Sequence, residues 1–150
     1  MPYELRDHTA DVAVEATGTT LSATFGAVAD GLTAASCESL PATGGDRFAL
    51  MVTAESREAL LFDYLDRLIY ERDVRSVLPA DHDCRVLSPD GAGATDEAND
   101  AAGPEWTVEA TAREVPIAGI AAREIKAVTY SEMTLERRDG GWYAYVVFDV

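Results

Sequence analysis

Three short stretches carry side chains whose types and spacing suit hard-cation chemistry. "DHTADV" near the start sets Asp7 and Asp11 around His8, Thr9 and Ala10. "FDV" puts the Asp149 carboxylate beside Val150, which adds a carbonyl and a chain-end carboxylate. Oxygen donors on adjacent residues favour Ca2+, Mg2+ or Mn2+ over softer ions. The third stretch, "EIKAVTY", holds Lys126, the single lysine among 12 cationic side chains. A lysine is a compact point charge that reaches a phosphate or carboxylate where a planar guanidinium does not fit. Each stretch also has a plainer reading. Asp and Thr cap turns through their own backbone, His8 serves equally as a packing or capping residue, and Lys126 as an ordinary solvated charge. Asp149 is equally one more acid at a strand end. A strand running into the last residue is unusual, because termini fray; an ion bound at Asp149 and Val150 would tie it down.

Other chemistries lack their residues. There is no Ser–His–Asp or Cys–His set, no Walker loop, no GxGxxG and no zinc spacing. His8 and His82 are the only histidines, which excludes a multi-histidine metal site. Cys37 and Cys84 form no CxxC and no disulfide framework, and are expected to be free thiols in a reducing compartment.

Composition narrows the function further. Asp and Glu total 27 against 12 Lys and Arg, a formal net charge of -15 and a pI near 4.3. Such a charge pushes a compact chain apart in dilute buffer, and at about 1 M salt the screening length falls to roughly 3 Å. Acid-rich and lysine-poor, the sequence reads as adapted to a salt-filled cytoplasm, which implies a halophilic, haloarchaeal source. Gripping a phosphate backbone needs clustered cations, and no more than two basic residues adjoin, Arg137 and Arg138. Direct nucleic-acid binding is therefore not expected. Neither a membrane span of roughly 18 apolar residues nor the plan of a signal peptide is visible, so a soluble, cytoplasmic protein is expected.

At 150 residues the chain is expected to be one domain, 1–150. Val12, Val14 and Ala16 alternate as a strand does, and "TG" ends it. From Leu21, the spacing of Phe25, Val28, Ala29 and Leu32 predicts a helix, with Thr19 or Thr20 as its N-cap. "RFALMVTA" alternates Phe48, Leu50 and Val52 against Ala49, Met51 and Thr53, again a strand. Residues 54–72 carry Leu60, Leu61, Tyr64, Leu65, Leu68 and Ile69 on one helical stripe. "DCRVLS", "EWTVEATARE", "EIKAVTY", "MTLERRD" and "GWYAYVVFDV" read as further strands, the last two joined by an Asp-Gly turn. Residues 88–104 hold Gly, Asp and Ala without a large apolar side chain, which predicts a disordered loop. The order predicts an α+β domain in which two helices pack against a largely antiparallel or mixed sheet.

"DHTADVAVEATG", "EIKAVTY" and the strand ending in "DV" together resemble the archease family in content, order and distance from the ends. The leucine-rich "LLFDYLDRLIYERD" fits as well, and the likeness spans the chain apart from the Gly/Asp/Ala loop. What the resemblance implies is a non-enzymatic accessory protein of the RtcB-type RNA ligase that joins tRNA exon halves. Archeases accelerate attachment of a guanylate to the ligase's active-site histidine, restore multiple turnover and broaden nucleotide use. By motif position the family's divalent ion, most often calcium, falls to Asp11, Asp149 and Val150. Lys126, with His8 of the opening motif, is then a group offered to the partner or to a phosphate. Family members commonly continue "KAVTYH", whereas Ser131 follows Tyr130 here, so the role of that histidine has no carrier. Two competing classes stand beside this one. A free-standing metal-dependent hydrolase or nucleotidyl enzyme would use Asp11 and Asp149, and a chaperone-like binding module would need no metal.

Overall fold

Seven strands and two helices follow one another through the described residues of the computed structural model: 2–7, 11–41, 44–89, 105–120 and 122–150. The strands are β1 (Tyr3–Asp7), β2 (Asp11–Gly18), β3 (Arg47–Ala54), β4 (Val77–Leu87), β5 (Trp106–Pro116), β6 (Ala127–Arg138) and β7 (Gly141–Asp149). The helices are α1 (Leu21–Ser36) and α2 (Arg57–Arg75). His8 and the predicted disordered loop, apart from Ser88 and Pro89, lie outside the described residues.

Local chemistry accounts for the elements. The Thr20 hydroxyl accepts from the Ala23 N–H at 3.0 Å and starts α1, as its position predicts. Ser56 does the same for α2 through Ala59, at 3.1 Å. Ser76 closes α2 in the left-handed region, φ 56°, with its N–H on the Arg72 carbonyl. Arg72 and Arg75 sit in that last turn, where cations complement the helix dipole. Asp139 and Gly140, at φ 50° and 79°, make the tight β6–β7 turn, which needs positive φ at both positions.

The α+β class and the antiparallel pairing agree with expectation, but the strands divide into two sheets. One has the order β1-β2-β7-β6, the other β3-β5-β4. Each helix touches both sheets: α1 lies on β2 and β4, and α2 on β6 and β3. The helices thus form a middle layer, so α1 is buried nearly all round, from Phe25 and Val28 to Thr24 and Thr33. A helix that is apolar or small on every face belongs between two layers. α1 comes close enough to β2 that a Cβ on Gly31 would stand 2.5 Å from Val14 Cγ1. The core joins Val12, Val14, Phe25, Leu60, Leu61, Tyr64, Leu65, Val108, Val146 and Phe148 across all three layers.

Four elements differ from the sequence reading. α2 runs three residues later than the predicted 54–72, because Ala54 ends β3 and Ser56 caps the helix. β1 was not evident, since five mixed polar and apolar residues give no clear period. β4 starts at Val77, not at Asp83; a bulge between Ala80 and Asp83, with Asp81 at φ 50°, hides the alternation. "EIKAVTY" and "MTLERRD" are one strand, β6, interrupted between Thr129 and Thr134, where Glu132 takes φ 58°.

Candidate metal centre

β7 lies between β2 and β6, and its last residues bring the distant motifs together. Asp11, the first residue of β2, stands directly opposite Asp149, and Asp149 in turn stands opposite Ala127 of β6. Directly opposed residues share a sheet face, with Cβ atoms about 4.5–5.5 Å apart. Val12, Val14, Val146 and Phe148 belong to the core shared with the helices, so the period of two puts Asp11 and Asp149 on the opposite face, beside Ala13 and Val147, which are buried as well. The Lys126 N–H donates to the Asp149 carbonyl at 2.8 Å, and fully buried Ile125 pins the segment just before it. The "KAVTY" stretch is therefore stitched to the "DV" end by main chain.

Asp11, Asp149 and Lys126 make no side-chain hydrogen bond or ion pair among the described residues. Like charges opposed across two strands cost about 0.2–1 kcal/mol, a penalty that a bound cation would reverse. The donor set fits such an ion: two carboxylates on facing residues and the Val150 carbonyl just past β7 are all hard oxygens. Among the described residues, no group of three or more His, Cys, Asp and Glu side chains is placed to hold a metal. An ion held here would need further donors beyond these two carboxylates; His8 lies outside the described residues.

The other titratable groups lie elsewhere. His82 sits in the β4 bulge, its Nε2 2.8 Å from the Thr33 hydroxyl, and burial pushes its pKa down to about 4. Cys84 meets the Tyr64 hydroxyl at 3.0 Å, and burial pushes its thiol up to about 12. Cys37 and Cys84 are both free, as expected. Tyr130 was passed over in the sequence. It stacks on Phe62 of α2 with centroids 4.0 Å apart while remaining 57% exposed. The interruption of β6 beside it removes the alternation that would have marked it.

Two helices between two antiparallel sheets, with two opposed carboxylates at one sheet end, define a small α+β protein. The chain matches the family model described as "Archease protein family (MTH1598/TM1083)" over residues 3–150, and it belongs to that family. It is 29% identical to a Methanosarcina mazei protein named protein archease, covering 99% of this chain and 95% of the other. A Pyrococcus furiosus protein of the same name is also 29% identical, over 99% and 98%. The solution structure of Methanobacterium thermoautotrophicum protein 1598 superimposes with a TM-score of 0.76 at 25% identity, covering 99% of each chain. A crystal structure from Thermotoga maritima, described as an archease and "possible chaperone", gives 0.60 at 22% identity, over 98% and 96%; that likeness speaks for the fold. Among the described residues no helix is long and apolar enough to cross a membrane.

Proposed function

We propose that this protein is an accessory activator of an RtcB-type tRNA-splicing RNA ligase, promoting guanylylation and multiple turnover and widening the nucleotides used. It makes no bond itself, and it contacts the ligase and not the RNA. The observation that carries this reading is the cross-strand pair Asp11–Asp149, without a side-chain partner among the described residues and joined by main chain to Lys126. Asp11, Asp149 and Val150 would hold a divalent ion, Ca2+ first and Mg2+ or Mn2+ as alternatives, which when bound supplies positive charge against nucleotide phosphates. Asp11 and Asp149 orient the acidic sheet end toward the ligase, and antiparallel pairing fixes their spacing. Lys126, exposed beside them, offers its ammonium to a phosphate or to an acidic residue of the ligase. Family membership supports the reading.

The test is a reconstitution in molar KCl with ligase, GTP and broken tRNA, with and without this protein and its Asp149→Ala variant. Multiple turnover that depends on the protein and is lost with the variant is the expected result. Turnover by the isolated protein would instead favour a hydrolase or nucleotidyl enzyme. Stimulation surviving both chelation and Asp149→Ala would favour a metal-free binding module.

A further inference from the structure

The two sheets have four outer strands, β1 and β6 in one and β3 and β4 in the other. An outer strand offers unpaired N–H and C=O groups, and proteins blunt such edges with short strands, prolines, charges or bulges. Three of the four are blunted in this way. β1 is five residues long. β4 carries Pro79 and the bulge between Ala80 and Asp83. β6 is broken between Thr129 and Thr134 and bears Glu132 and Glu136.

Apart from Arg47 at its start, β3 has none of these devices. Its register on β5 runs unbroken from Arg47↔Arg113 to Ala54↔Trp106, and its far side meets no strand among the described residues. Between Arg47 and Glu55 stands "FALMVTA", seven residues without a charge in a chain with 27 acids. Met51 is 58% exposed on the outer face, and Val52 is only half-buried on the inner one. An open, flat, uncharged edge is a template for strand addition.

The sequence of this edge is complementary to itself. About a two-fold axis at Met51, antiparallel pairing sets Arg47 opposite Glu55 of a second copy and Ala49 opposite Thr53. Met51 meets its own counterpart; Arg47, Ala49, Met51 and Thr53 share the outer face, and Glu55 is the first residue past β3. On the inner face the same register pairs Phe48 with Ala54 and Leu50 with Val52. Opposite charges therefore meet at both ends, and apolar side chains meet between them. Arg47 reaches over β5, with Nε and one Nη on Thr111 and the Asp81 carbonyl, and its other Nη makes no hydrogen bond among the described residues. Glu55 is exposed and has no partner among the described residues. Two chains of net charge -15 repel, and this is a stretch of surface where they can meet without opposing acids.

We propose that β3 pairs antiparallel with β3 of a second copy about a two-fold axis at Met51, joining two three-stranded sheets into one of six. The interface is isologous, as closed dimers require, and it leaves the Asp11–Asp149 row free on the other sheet.

Light scattering after size exclusion in molar KCl tests the pairing. The wild type should show twice the 16.1 kDa of the chain, and Met51→Lys, which places at the axis the charged side chain that natural sheet edges use against strand addition, should show one chain's mass. Residue 51 is exposed, so this variant keeps its fold, which circular dichroism checks. A second variant reads the register directly. Directly opposed residues have Cα atoms about 4.5–5.5 Å apart, inside the range that a disulfide spans. Met51→Cys should therefore cross-link into a dimer under mild oxidation, while Val74→Cys, equally exposed on α2, should not. Background is low, since Cys37 is buried and the half-buried Cys84 thiol is pushed up to about 12. A wild type that stays monomeric as concentration rises overturns the proposal, even if another protein's strand then fills the edge. So does a mass unchanged by Met51→Lys, or a Met51→Cys that cross-links no faster than Val74→Cys.

Discussion

Asp149 is held by its main chain on both sides, opposite Asp11 and bonded to Lys126, while its carboxylate has no partner among the described residues. An arrangement that fixes a backbone so firmly and leaves the acid unpaired suits a ligand role better than a packing one. Asp149→Asn or Asp11→Asn should weaken Ca2+ binding at least about tenfold, since even changes behind the ligands cost that much. Calorimetric titration in molar KCl reads the loss, and an unchanged far-UV spectrum shows that the sheet survives. Equal affinity in both variants would return these acids to the ordinary surface. His82 makes a different prediction. Burial among α1 and β4 keeps its imidazole neutral and lowers its pKa to about 4, whereas the unfolded chain takes up the proton near 6.5. A depressed folded pKa stabilises fully above the unfolded value, and the contribution fades as pH falls from 6.5 toward 4, by at most about 3 kcal/mol. Asp81 and Arg47, the charges near the ring, have opposing effects on it. Denaturant midpoints measured across that window should fall more steeply for the wild type than for His82→Gln; parallel curves would mean that the ring is wetter than its surroundings indicate.

At the scale of elements, α1 shows how closely the layers are set. Gly31 is a poor helix residue by propensity, yet a methyl there would stand 2.5 Å from Val14 Cγ1 and 3.3 Å from the Tyr3 ring. Gly31→Ala should therefore destabilise by about 1–3 kcal/mol, as overpacking does, in place of the gain expected at an open helical site. Chemical denaturation decides the sign, and a stabilised variant would mean that α1 can shift off β2. This contact bears on what a sequence can disclose. Strict periods were legible: "RFALMVTA" matches β3 to the residue, and the leucine stripe of α2 is buried where its spacing required. The Thr20 cap and the Asp-Gly turn were legible for the same reason, since each acts within a few residues. The division into two sheets was not, because alternation says which face of a strand is buried and not which helix buries it. The bulges in β4 and β6 erased the period where it was needed. The candidate site was half legible. Its residues stood out by type, but the register that opposes Asp11 to Asp149 spans nearly the whole chain, and no local pattern encodes it.

For the molecule as a whole, charge is the governing quantity. Six arginines, at 67, 72, 75, 85, 113 and 138, already pair with acids among the described residues. Glu71 draws two of them; although burial opposes its charge, hydrogen bonds from Arg67 and Arg75 hold its carboxyl below the usual range. With 27 acids against 12 cations, pairing cannot neutralise the surface, so the remainder must be screened. A folded chain of this length has a radius of gyration of about 15 Å. The screening length is about 30 Å at 0.01 M salt and about 3 Å at 1 M, so in dilute buffer every acid feels nearly every other, and in molar salt almost none does. The melting temperature should therefore climb from 0.01 M to 1 M KCl by well over the ~2–4 °C that 1 kcal/mol moves a domain of this size. A flat dependence would refute the halophilic reading. Calcium separates screening from binding in the same experiment. Added at low salt, it should stabilise beyond KCl of equal ionic strength, because binding to the folded state alone adds a mass-action term. Asp149→Asn should lose that excess while keeping its response to KCl. If both proteins gain equally from calcium, the ion acts only on the diffuse charge, and the carboxylate row holds nothing of its own.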